Sequence, residues 1–570
     1  MKNKRIELLA PAGSMANLKA AVSKGADAVY LGMKDFSARS SATNFDNQEL
    51  KHAIDICKSN NVKLYLTMNT LVKNKELQSF FDQLSVAYSC GIDAIILQEI
   101  YFIDLIKNNF PDLRVHVSTQ AGVMNSEHAK LLSNANRITL ARELTEPEII
   151  NIRKNTSREL EMFCHGALCV CVSGQCLFSS FLGGRSGNRG KCARPCRKQY
   201  NGRYYLSTRE LSLIKEIPKI INTGVNSVKI EGRMRTPRYV ATATSIYRKA
   251  IDSYYENGHG VDSKDLELLN KIFTREFTKG WFNNSKDIIN AEFSSAKTEK
   301  IREHYHVDSK HYSCKRNNVT VKVPEFSISK NIDKQLLVKV YSKKDAILAS
   351  EAGADIIYFD IFNDDFRSVK KEIKCKLFAS IPQLVFDKDI QLIKQKLKEN
   401  KPDGVLLGNI GLLNEVLEYK IHLNYNINVF NELSLEFLNA KGIIPLLSPE
   451  LSIRDMALFQ NKDCAVFVHG KIKLMTLRHH IKKGILSDSK GNFNVEPTYN
   501  GTDIFNEKEM GLLSKASHLV KAGFNRLYID TERNVSEIVK AYRNILDGRK
   551  IDDKNLKKDY VLGWAYRGVL

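Results

Sequence analysis

The feature that most constrains this chain of 570 residues is an internal duplication. The segment KGADAVYLG at residues 24–32 returns as EAGADIIYFD at residues 351–360. Two later segments are repeated in the same order: LARELTEPEI (140–149) as LLSPELSIRD (446–455), and NTGVNSVKIE (222–231) as VKAGFNRLYID (520–530). Because the repeated segments keep their order over these distances, the two halves are expected to share one fold.

Each half alternates short β-rich runs with amphipathic helical runs. The first half contains eight such β-rich runs, namely IELL, AVYLG, KLYLTM, AIILQ, RVHVS, RITLA, ELEMFCH and SVKIE. The second half yields eight more, from LLVKV at Leu336 to RLYID at Arg526. Alternating βα units imply a parallel sheet, and eight of them favour a closed barrel. We therefore predict an α/β fold with two tandem (β/α)8 TIM-like barrels, although an open sheet with the same alternation also fits.

The same pattern predicts the domain boundaries. The first barrel spans residues 1–285, a polar linker without a sustained period spans 286–332, the second barrel spans 333–550, and a C-terminal tail spans 551–570. The second barrel is interpreted as degenerate. Its seventh strand carries His469-Gly470 where the first half has His165-Gly166, but no cysteines follow, and Pro449 stands where the first half has Arg142. It is expected to support the first barrel or to extend a surface for a partner.

Polar residues in the first half cluster where the predicted strands end. A TIM-like barrel places its chemistry at these carboxyl ends. Along ELEMFCH, period-2 alternation puts Glu161 and His165 on one face and Cys164 on the other, so we expect Glu161 and His165 to face the interior. By the same rule Glu231 and Arg233 share a face. Single strand-end polar groups are usually satisfied core residues, but several behaving alike indicate a site.

Six of the 11 cysteines lie between residues 164 and 197. Four of them, Cys169, Cys176, Cys192 and Cys196, are spaced C-x6-C-x15-C-x3-C after the seventh strand. Thiolates in such a loop can hold an iron–sulfur cluster or a zinc ion, and the number of ligands does not separate the two. The wide spacing and the many glycines favour the bulkier cluster. Cys164 and Cys171 are interpreted as packing residues, although either can substitute as a ligand.

The charge balance favours a polyanionic partner. Lys and Arg number 86 against 64 Asp and Glu, a net charge of +22. Such an excess suits RNA, whose phosphates release counterions on binding, while a merely solvated basic surface is the alternative. No run reaches the roughly 18 residues needed to cross a bilayer, and the first residues lack a long apolar run. We therefore expect a cytoplasmic protein without membrane contact, and its oligomeric state stays open.

A set of motifs resembles the collagenase-like peptidase family U32. Its signature matches EMFCHGALCVCVSGQCLFS at Glu161, Phe163, Gly166, Ala167, Leu168, Cys169, Gly174, Cys176 and Ser179, and departs from it at Phe178. Supporting matches are ELLAPAG, GADAVYLG, FSAR, HVSTQAGVMN, LAREL, VKIEGRMR and FTREFTKG. The resemblance implies a barrel with a four-cysteine 4Fe-4S cluster. It also implies hydroxylation of a base in ribosomal or transfer RNA without molecular oxygen, with prephenate as co-substrate.

The candidate site residues follow from these positions. Arg39, Arg142, Arg233 and Arg275 offer guanidinium groups to a small carboxylate co-substrate. Glu161, His165, Glu231 and Arg233 are the candidate catalytic residues, the first three for proton transfer. A peptidase is the alternative that the family name carries, but the chain has neither H-E-x-x-H nor G-x-S-x-G. A third reading is a non-catalytic RNA-binding assembly factor.

Overall fold

The chain forms two compact units in a computed structural model that describes residues 5–272, 275–284, 287–290, 305–329, 332–549 and 560–570. The first unit comprises residues 1–72, 76–176 and 187–323, and the second comprises 73–75, 177–186 and 324–570. Residues 305–323 of the predicted linker therefore belong to the first unit. Residues 177–186, which lie between Cys176 and Cys192, belong to the second.

The first half of the chain contains ten strands and ten helices among the described residues. The strands are β1 (Glu7–Pro11), β2 (Ala28–Gly32), β3 (Lys63–Met68), β4 (Ala94–Leu97), β5 (Arg114–Val117), β6 (Arg137–Thr139), β7 (Glu159–Ala167), β8 (Glu210–Ser212), β9 (Ser227–Ile230) and β10 (Phe277–Thr278). The helices are α1 (Met15–Ser23), α2 (Asn47–Ser59), α3 (Leu77–Cys90), α4 (Ile103–Asn109), α5 (Ser126–Leu131), α6 (Glu146–Asn155), α7 (Phe178–Gly183), α8 (Ile217–Asn222), α9 (Pro237–Asn257) and α10 (Ser263–Ile272).

Eight of these strands close into a parallel barrel. Strands β1 to β7 pair in sequence order, and β9 lies between β7 and β1 and is parallel to both. Each of the eight strands is one of the eight runs predicted from the sequence, so the prediction of a closed TIM-like barrel is confirmed. The short strands β8 and β10 extend the sheet beyond β7, with β8 antiparallel to β7. Inward-facing residues fill the barrel, among them Leu9, Tyr30, Tyr65 and Ile96.

A buried ion cluster occupies the amino-terminal end of the barrel interior. Arg137, at the start of β6, contacts Glu7 of β1 and lies 3.3 Å from Glu161 of β7. Lys229 of β9 lies 3.0 Å from the other oxygen of Glu161. Although burial by itself would raise it, Arg137 and Lys63 lower the pKa of Glu7 to about 2. These charges can stay buried only because each one has an opposite partner.

The second half contains thirteen strands and seven helices among the described residues. The strands are β11 (Gln335–Lys339), β12 (Ile356–Asp360), β13 (Lys376–Ile381), β14 (Gly404–Leu407), β15 (Ile421–Leu423), β16 (Ile444–Pro445), β17 (Ala465–Gly470), β18 (Lys473–Leu477), β19 (Gly484–Asp488), β20 (Gly491–Thr498), β21 (Gly501–Asn506), β22 (Met510–Gly511) and β23 (Arg526–Asp530). The helices are α11 (Lys343–Glu351), α12 (Phe366–Glu372), α13 (Asp387–Asn400), α14 (Glu432–Asn439), α15 (Ile453–Ala457), α16 (Leu513–Lys521) and α17 (Val535–Leu546).

The second barrel is curled but weakly closed. Strands β11 to β16, β23 and β17 form one sheet in which neighbouring strands are parallel, in the order that matches the first barrel. Its two ends, β16 and β17, meet only at an isolated bridge between Leu446 and Ala465. Strand β16 is two residues long and includes Pro445, which cannot donate a ladder hydrogen bond. The predicted degeneracy of this barrel therefore lies in its closure.

Both halves carry an insertion at the same place. In the first half residues 168–209, the cysteine loop, stand between β7 and the antiparallel β8. In the second half the antiparallel sheet β18-β21-β20-β19 stands between β17 and the antiparallel β22. The two copies therefore share one barrel framework but carry different insertions after the seventh strand. Only the first addition carries cysteines.

Helix α7 and the C-terminal tail both belong to the second unit. In this unit Leu177 N donates to Leu474 O at 2.9 Å and Phe178 packs edge-on against Phe493. Of the predicted tail, residues 560–570 are described, and Val561 forms a bridge to Met510. The described part of the tail is therefore paired with strand β22. None of the described helices combines the length and the apolar character that a membrane span requires.

We predict that the buried ion cluster stabilises the first barrel strongly through Arg137. Arg137→Ala leaves Glu7 with only the half-exposed Lys63 as a counter-charge and removes one of the two cations that contact Glu161, so it should lower the free energy of unfolding by about 3 to 5 kcal/mol. The matched control is Arg114→Ala, because Arg114 binds Glu159 at 2.8 Å but is 43% exposed. Such a surface pair contributes about 0 to 1 kcal/mol. Chemical denaturation measures both, and equal losses would contradict the assignment.

Candidate active site

The carboxyl ends of the eight parallel strands meet at one mouth of the first barrel. Polar side chains follow several of these strands, as predicted: Asn69 after β3, Gln98 after β4 and Ser118 after β5. Asn69 Nδ2 lies 3.5 Å from Ser118 Oγ, so the residues that follow β3 and β5 are in contact at the mouth although β4 lies between these strands. The site described below lies entirely within the first unit.

Two glycines bring the cysteine loop onto the strand ends. Gly174 has φ +81°, and a β-carbon there would lie 2.0 Å from the carbonyl oxygen of Gln120, which follows β5. Gly190 has φ +80°, and a β-carbon there would lie 2.4 Å from the carbonyl oxygen of Ser37, which follows β2. A side chain at either position would push the loop away. The glycines of the loop therefore hold it against two separate strand ends of the barrel.

Arginines of the loop tie it down further. Arg189 pairs with Glu76 at 2.7 Å and donates to the carbonyl oxygen of Leu71 at 2.8 Å. Arg197 joins the two ends of the loop, donating to Leu168 O at 3.4 Å and to Ser207 Oγ at 3.1 Å. Two of the eight Lys and Arg residues of the loop therefore fix its shape.

The four loop thiols, Cys169, Cys176, Cys192 and Cys196, act on one another electrostatically. Burial is the main reason that the pKa of Cys196 is raised to about 12; Arg197 opposes this shift, and the other three thiols contribute to it. Desolvation of its sulfur and the nearby Cys176 raise the pKa of Cys192 to about 11. The backbone N–H of Arg194 donates to Cys192 Sγ at 3.3 Å. The four cysteines that the spacing singled out therefore lie within electrostatic reach of one another.

The remaining two cysteines of the segment lie apart from this set. Cys164 is fully buried, and its thiol donates to the carbonyl oxygen of Lys229 at 3.5 Å. Cys171 is also buried. Within the described ranges no three His, Cys, Asp or Glu side chains converge closely enough for a single metal ion. A polynuclear cluster keeps its thiolates farther apart than one ion does, because several metal atoms lie between them.

Arg39 and Glu231 form an ion pair at the mouth. Arg39 Nη2 lies 3.2 Å from Glu231 Oε1, which joins the loop after β2 to the end of β9. Burial alone would raise the pKa of Glu231, but Arg39, Arg235 and Arg142 together hold it below its ordinary value of 4.5. Against the effect of burial, Glu231 and then Cys169 raise the pKa of Arg39. The pair therefore lies within electrostatic reach of the loop thiols, and Glu231 is ionised at neutral pH.

Arg142, after β6, is the guanidinium best placed for a small anion. Its guanidinium carbon lies 4.6 Å from the ring centre of Phe163, and Nη1 donates to the carbonyl oxygen of Ala167 at 2.8 Å. Its Nε is buried and has no hydrogen-bond partner among the described residues. A buried donor of this kind can donate a hydrogen bond to a ligand oxygen without losing an existing bond.

Arg233 is buried deeper and is used to hold a loop. Nη1 donates to Ser37 Oγ at 2.5 Å and to Thr67 Oγ1 at 3.1 Å, and Nη2 donates to Asn44. Burial lowers the pKa of Arg233 to about 10. Arg233 thus reaches the interior, as predicted. Its hydrogen bonds, however, connect strand β3 with the segment after β2 in which Arg39 lies.

Arg275 belongs to a second ion cluster that sequence reasoning missed. Arg275 lies 3.2 Å and Arg235 lies 3.1 Å from opposite oxygens of Glu210, a residue that is 1% exposed. Two signals in the sequence were available. The alternation that placed Glu231 and Arg233 on one face continues to Arg235, and the tripeptide Thr-Arg-Glu occurs at both 208–210 and 274–276. The structure pairs β8 with β10 at these repeats, with Phe277 opposite Glu210.

Glu161 faces the interior as predicted, but it lies in the buried ion cluster. Its oxygens accept from Thr139 Oγ1 at 3.0 Å, Ser227 Oγ at 3.2 Å and Lys229 Nζ at 3.0 Å, in addition to Arg137. Each carboxylate oxygen therefore has two donors. These contacts make Glu161 a structural counter-charge and place it below the mouth.

The prediction that His165 faces the interior is wrong. Strands β7 and β9 pair Phe163 with Lys229 and then His165 with Ile230, so β7 contains one extra residue. This bulge reverses the alternation, and the ring of His165 packs against Tyr239 and Tyr247 of the outer helix α9. Burial lowers the pKa of His165 to about 3, which keeps the imidazole neutral.

The second half repeats this arrangement. His469 Nδ1 lies 3.3 Å from the hydroxyl of Tyr542, as His165 Nδ1 lies 3.3 Å from that of Tyr247. Each tyrosine hydroxyl also donates to the carbonyl oxygen of the residue before the histidine, at 2.8 Å in the first half and 2.9 Å in the second. Because the pair survives in a half without the cysteine set, we interpret it as a structural clasp between the seventh strand and the last helix.

Comparisons with known proteins place these features in context. The model of peptidase family U32 matches residues 13–292 and 363–561. An uncharacterized protease of Methanocaldococcus jannaschii is 39% identical over 49% of this chain and 73% of its own. A tRNA hydroxylation protein of Bacillus subtilis is 33% identical over 50% of this chain and 72% of its own. A 23S rRNA 5-hydroxycytidine synthase of Escherichia coli is 35% identical over 50% of this chain and 46% of its own.

We predict that the two histidine clasps behave alike. His165→Ala and His469→Ala should each lower the free energy of unfolding by about 1 to 3 kcal/mol, because each removes a buried ring and its bond to a tyrosine. His469→Ala also removes the 3.3 Å contact of Nε2 with Glu509, so its loss should be at least as large. His259→Ala is the control, since His259 is exposed. If His165→Ala abolishes activity without loss of stability, while His469→Ala is harmless, His165 is catalytic instead.

The pH dependence gives a second readout of the first clasp. The folded pKa of about 3 lies below the value of 6.5 expected when the chain unfolds, so the unfolded chain binds the proton first. The stability from His165 is complete above pH 6.5 and falls as the pH is lowered towards 3. His165→Ala should remove this part of the acid dependence.

Proposed function

Because this chain belongs to peptidase family U32, we propose that it is an RNA-modifying enzyme that hydroxylates a base in ribosomal or transfer RNA without molecular oxygen. The observation that carries the proposal is the meeting of four loop thiols, the Arg39–Glu231 pair and Arg142 at one barrel mouth. Relatives named for tRNA hydroxylation and for rRNA 5-hydroxycytidine synthesis support it.

RNA as the substrate agrees with the charge of the chain. The net charge of +22 provides a long-range attraction to phosphates. At the mouth, Arg142 and Arg235 lie close enough to lower the pKa of Glu231. A base turned out of its stack can enter such a mouth while its phosphates remain outside.

Cys169, Cys176, Cys192 and Cys196 are the proposed ligands of a 4Fe-4S cluster. They fit the group because they lie on one glycine-anchored loop, act on one another electrostatically and include a sulfur that accepts a backbone N–H bond. When bound, the cluster supplies one-electron transfer beside the mouth. Arg39 and Arg197 then lie near it as counter-charges.

Arg142 is proposed to bind a small carboxylate co-substrate. The family resemblance implies prephenate, and Arg142 offers its buried Nε together with a ring, Phe163, on which an organic acid can pack. Arg39 assists from the opposite side through its bond to Glu231. Arg275, by contrast, is engaged with Glu210, so its role is to hold the rim of the site.

Glu231 is proposed to move the proton. A carboxylate whose pKa lies below 4.5 is ionised at neutral pH and accepts a proton at Oε1 or Oε2. The hydroxyl of Tyr239 donates to the backbone oxygen of Glu231 at 2.8 Å, which orients the residue. Arg39, bound to one carboxylate oxygen, stabilises the charged form between turnovers.

A peptidase is the second candidate, because one relative is named a protease and another a collagenase. The adjacent pair Cys164 and His165 does not serve it as a nucleophile and base. The Cys164 thiol is directed at Lys229 O, while the His165 ring contacts Tyr247 on the outer face of the barrel. Burial also raises the pKa of Cys164, which disfavours the thiolate that a cysteine peptidase needs.

We predict that anaerobically purified protein is brown and contains about four irons per chain. Cys192→Ser should lose the colour and the iron, because it removes a proposed ligand. Cys171→Ser is the matched control, since Cys171 lies in the same loop but outside the set, and it should keep both. Stoichiometric zinc without visible absorption would contradict the cluster.

We predict that Arg142→Ala abolishes base modification while the cluster still loads. Loss of a buried guanidinium contact to a carboxylate costs about 2 to 5 kcal/mol, roughly 30-fold or more in rate or affinity. The readout is mass spectrometry of nucleosides from ribosomal and transfer RNA in a deletion strain that carries each variant, with Arg114→Ala as the control. If the deletion strain still contains every hydroxylated base that is found in the parent strain, the proposed function is wrong.

A further inference from the structure

An aromatic pair stands exposed at the edge of the four-stranded sheet in the second unit. Tyr499 lies in the turn between β20 and β21 and is 57% exposed. Its ring stacks on that of Phe362, with the centroids 5.1 Å apart and the planes 18° from parallel. Turns favour Gly, Pro, Asn, Asp and Ser, so the turn itself gives no reason for a tyrosine. A stacked ring with this exposure presents its other face to solvent.

A basic loop connects β18 and β19, the two edge strands of the same sheet. It comprises Arg478, His479, His480, Ile481, Lys482 and Lys483, between β18 and β19. Lys482 is exposed and has no ion-pair partner among the described residues, and the side chain of Lys483 is 75% exposed. The guanidinium of Arg478 lies 4.2 Å from the ring centre of Phe386, which anchors the start of the loop.

Hydrogen bonds hold the basic loop beside the aromatic pair. Thr502 follows Tyr499 by three residues, and its hydroxyl donates to His479 O and accepts from Ile481 N, both at 2.9 Å. Strand pairing places Leu477 opposite Thr502, so the loop starts next to the turn that carries Tyr499. The cations and the open ring face therefore occupy one end of the sheet.

Carboxylates of this region are engaged with partners of their own. Asp503 lies 3.2 Å from Lys473 and accepts from Thr476 Oγ1 at 2.6 Å. Asp389 accepts from Asn500 Nδ2 at 2.7 Å, and Glu496 pairs with Lys483 at 2.9 Å. These contacts reduce the repulsion that a phosphate would meet at the same end of the sheet.

We propose that this end of the sheet is a second binding site for single-stranded RNA. A base stacks on the open face of Tyr499, adjacent phosphates contact Lys482 and Arg478, and a phosphate competes with Glu496 for the exposed Lys483. Stacking on an aromatic ring beside a cationic track is how proteins bind single strands without reading their sequence. A duplex keeps its base faces stacked internally and cannot use the ring. The inference rests on RNA being the substrate, as proposed above, and adds a site that is separate from the cysteine mouth.

The position of the sheet in the chain agrees with this role. It occupies in the second half the place that the cysteine loop occupies in the first, between a barrel strand and its antiparallel partner. The duplicated frame thus carries a thiol set in one copy and an aromatic and basic surface in the other.

The test is binding of the full-length protein to a fluorescein-labelled oligouridine of roughly 12 nucleotides, within the usual site size for single strands. Fluorescence anisotropy gives the affinity as a function of salt. Tyr499→Leu keeps an apolar cover over Phe362 but removes the stacking face, and should weaken binding about 10-fold, whereas Tyr499→Trp should keep it. Lys482→Gln with Lys483→Gln should reduce the slope of log affinity against log salt by about 1.4.

Matched controls are exposed residues of the same unit. Tyr566→Leu removes a tyrosine that is 61% exposed, and Lys521→Gln with Lys540→Gln removes two exposed helical lysines. Both should leave binding unchanged. The inference is overturned if the Tyr499→Leu variant binds oligouridine as tightly as the native protein does. It is also overturned if this variant loses as much affinity for duplex RNA as for oligouridine.

The outcome is separable from that of the proposed function. If the nucleosides are modified in cells but the Tyr499 variant binds oligouridine normally, the second RNA site is contradicted and the hydroxylase proposal stands. Weakened oligouridine binding in a protein whose deletion changes no nucleoside would support this site and remove the hydroxylase.

Discussion

The parallel pairing of β7 with β9 is the interaction on which the rest of the first barrel depends. It closes the ring of eight strands, and its register brings Lys229 opposite Phe163 and beside Glu161 in the interior. One extra residue in β7 then turns His165 outward to α9. Because β9 itself runs without a bulge, Glu231 continues to face the mouth, where it meets Arg39. The cysteine loop begins immediately after this bulged strand, so the same pairing sets where the thiols start.

The two halves show which part of this design concerns folding and which concerns chemistry. Both keep the bulge, the histidine and the tyrosine that contacts it. They differ in what is inserted after the seventh strand: a loop with four thiols in one and a four-stranded sheet in the other. A feature present in both copies is explained by the frame alone. The arginines and thiols, which the second copy lacks at the matching positions, are therefore the better candidates for catalysis than His165.

The charged groups of the first barrel fall into two layers with different physical roles. At the amino-terminal end, Arg137 and Lys229 neutralise Glu7 and Glu161, and every partner is buried. Ion pairs of that kind are costly to break and offer little to a ligand. At the carboxyl end, Arg142 keeps a donor without a partner among the described residues. The depth of a charge in the barrel thus decides whether it supports the fold or is available to a substrate.

The sequence by itself determined the eight βα units of each half, the spacing of the four loop thiols and the polar residues at the strand ends. These are local properties, since hydrophobic period and turn chemistry are written in neighbouring residues. Only the tertiary structure decided that His165 points outward, because a bulge is defined by the partner strand and not by the alternation within one strand. It also decided the partners of the arginines: Arg39 and Glu231 are 192 residues apart, and no local pattern joins them. The sequence also could not predict that α7 belongs to the second unit. The position of an inserted segment is determined by its long-range packing, which no local pattern shows.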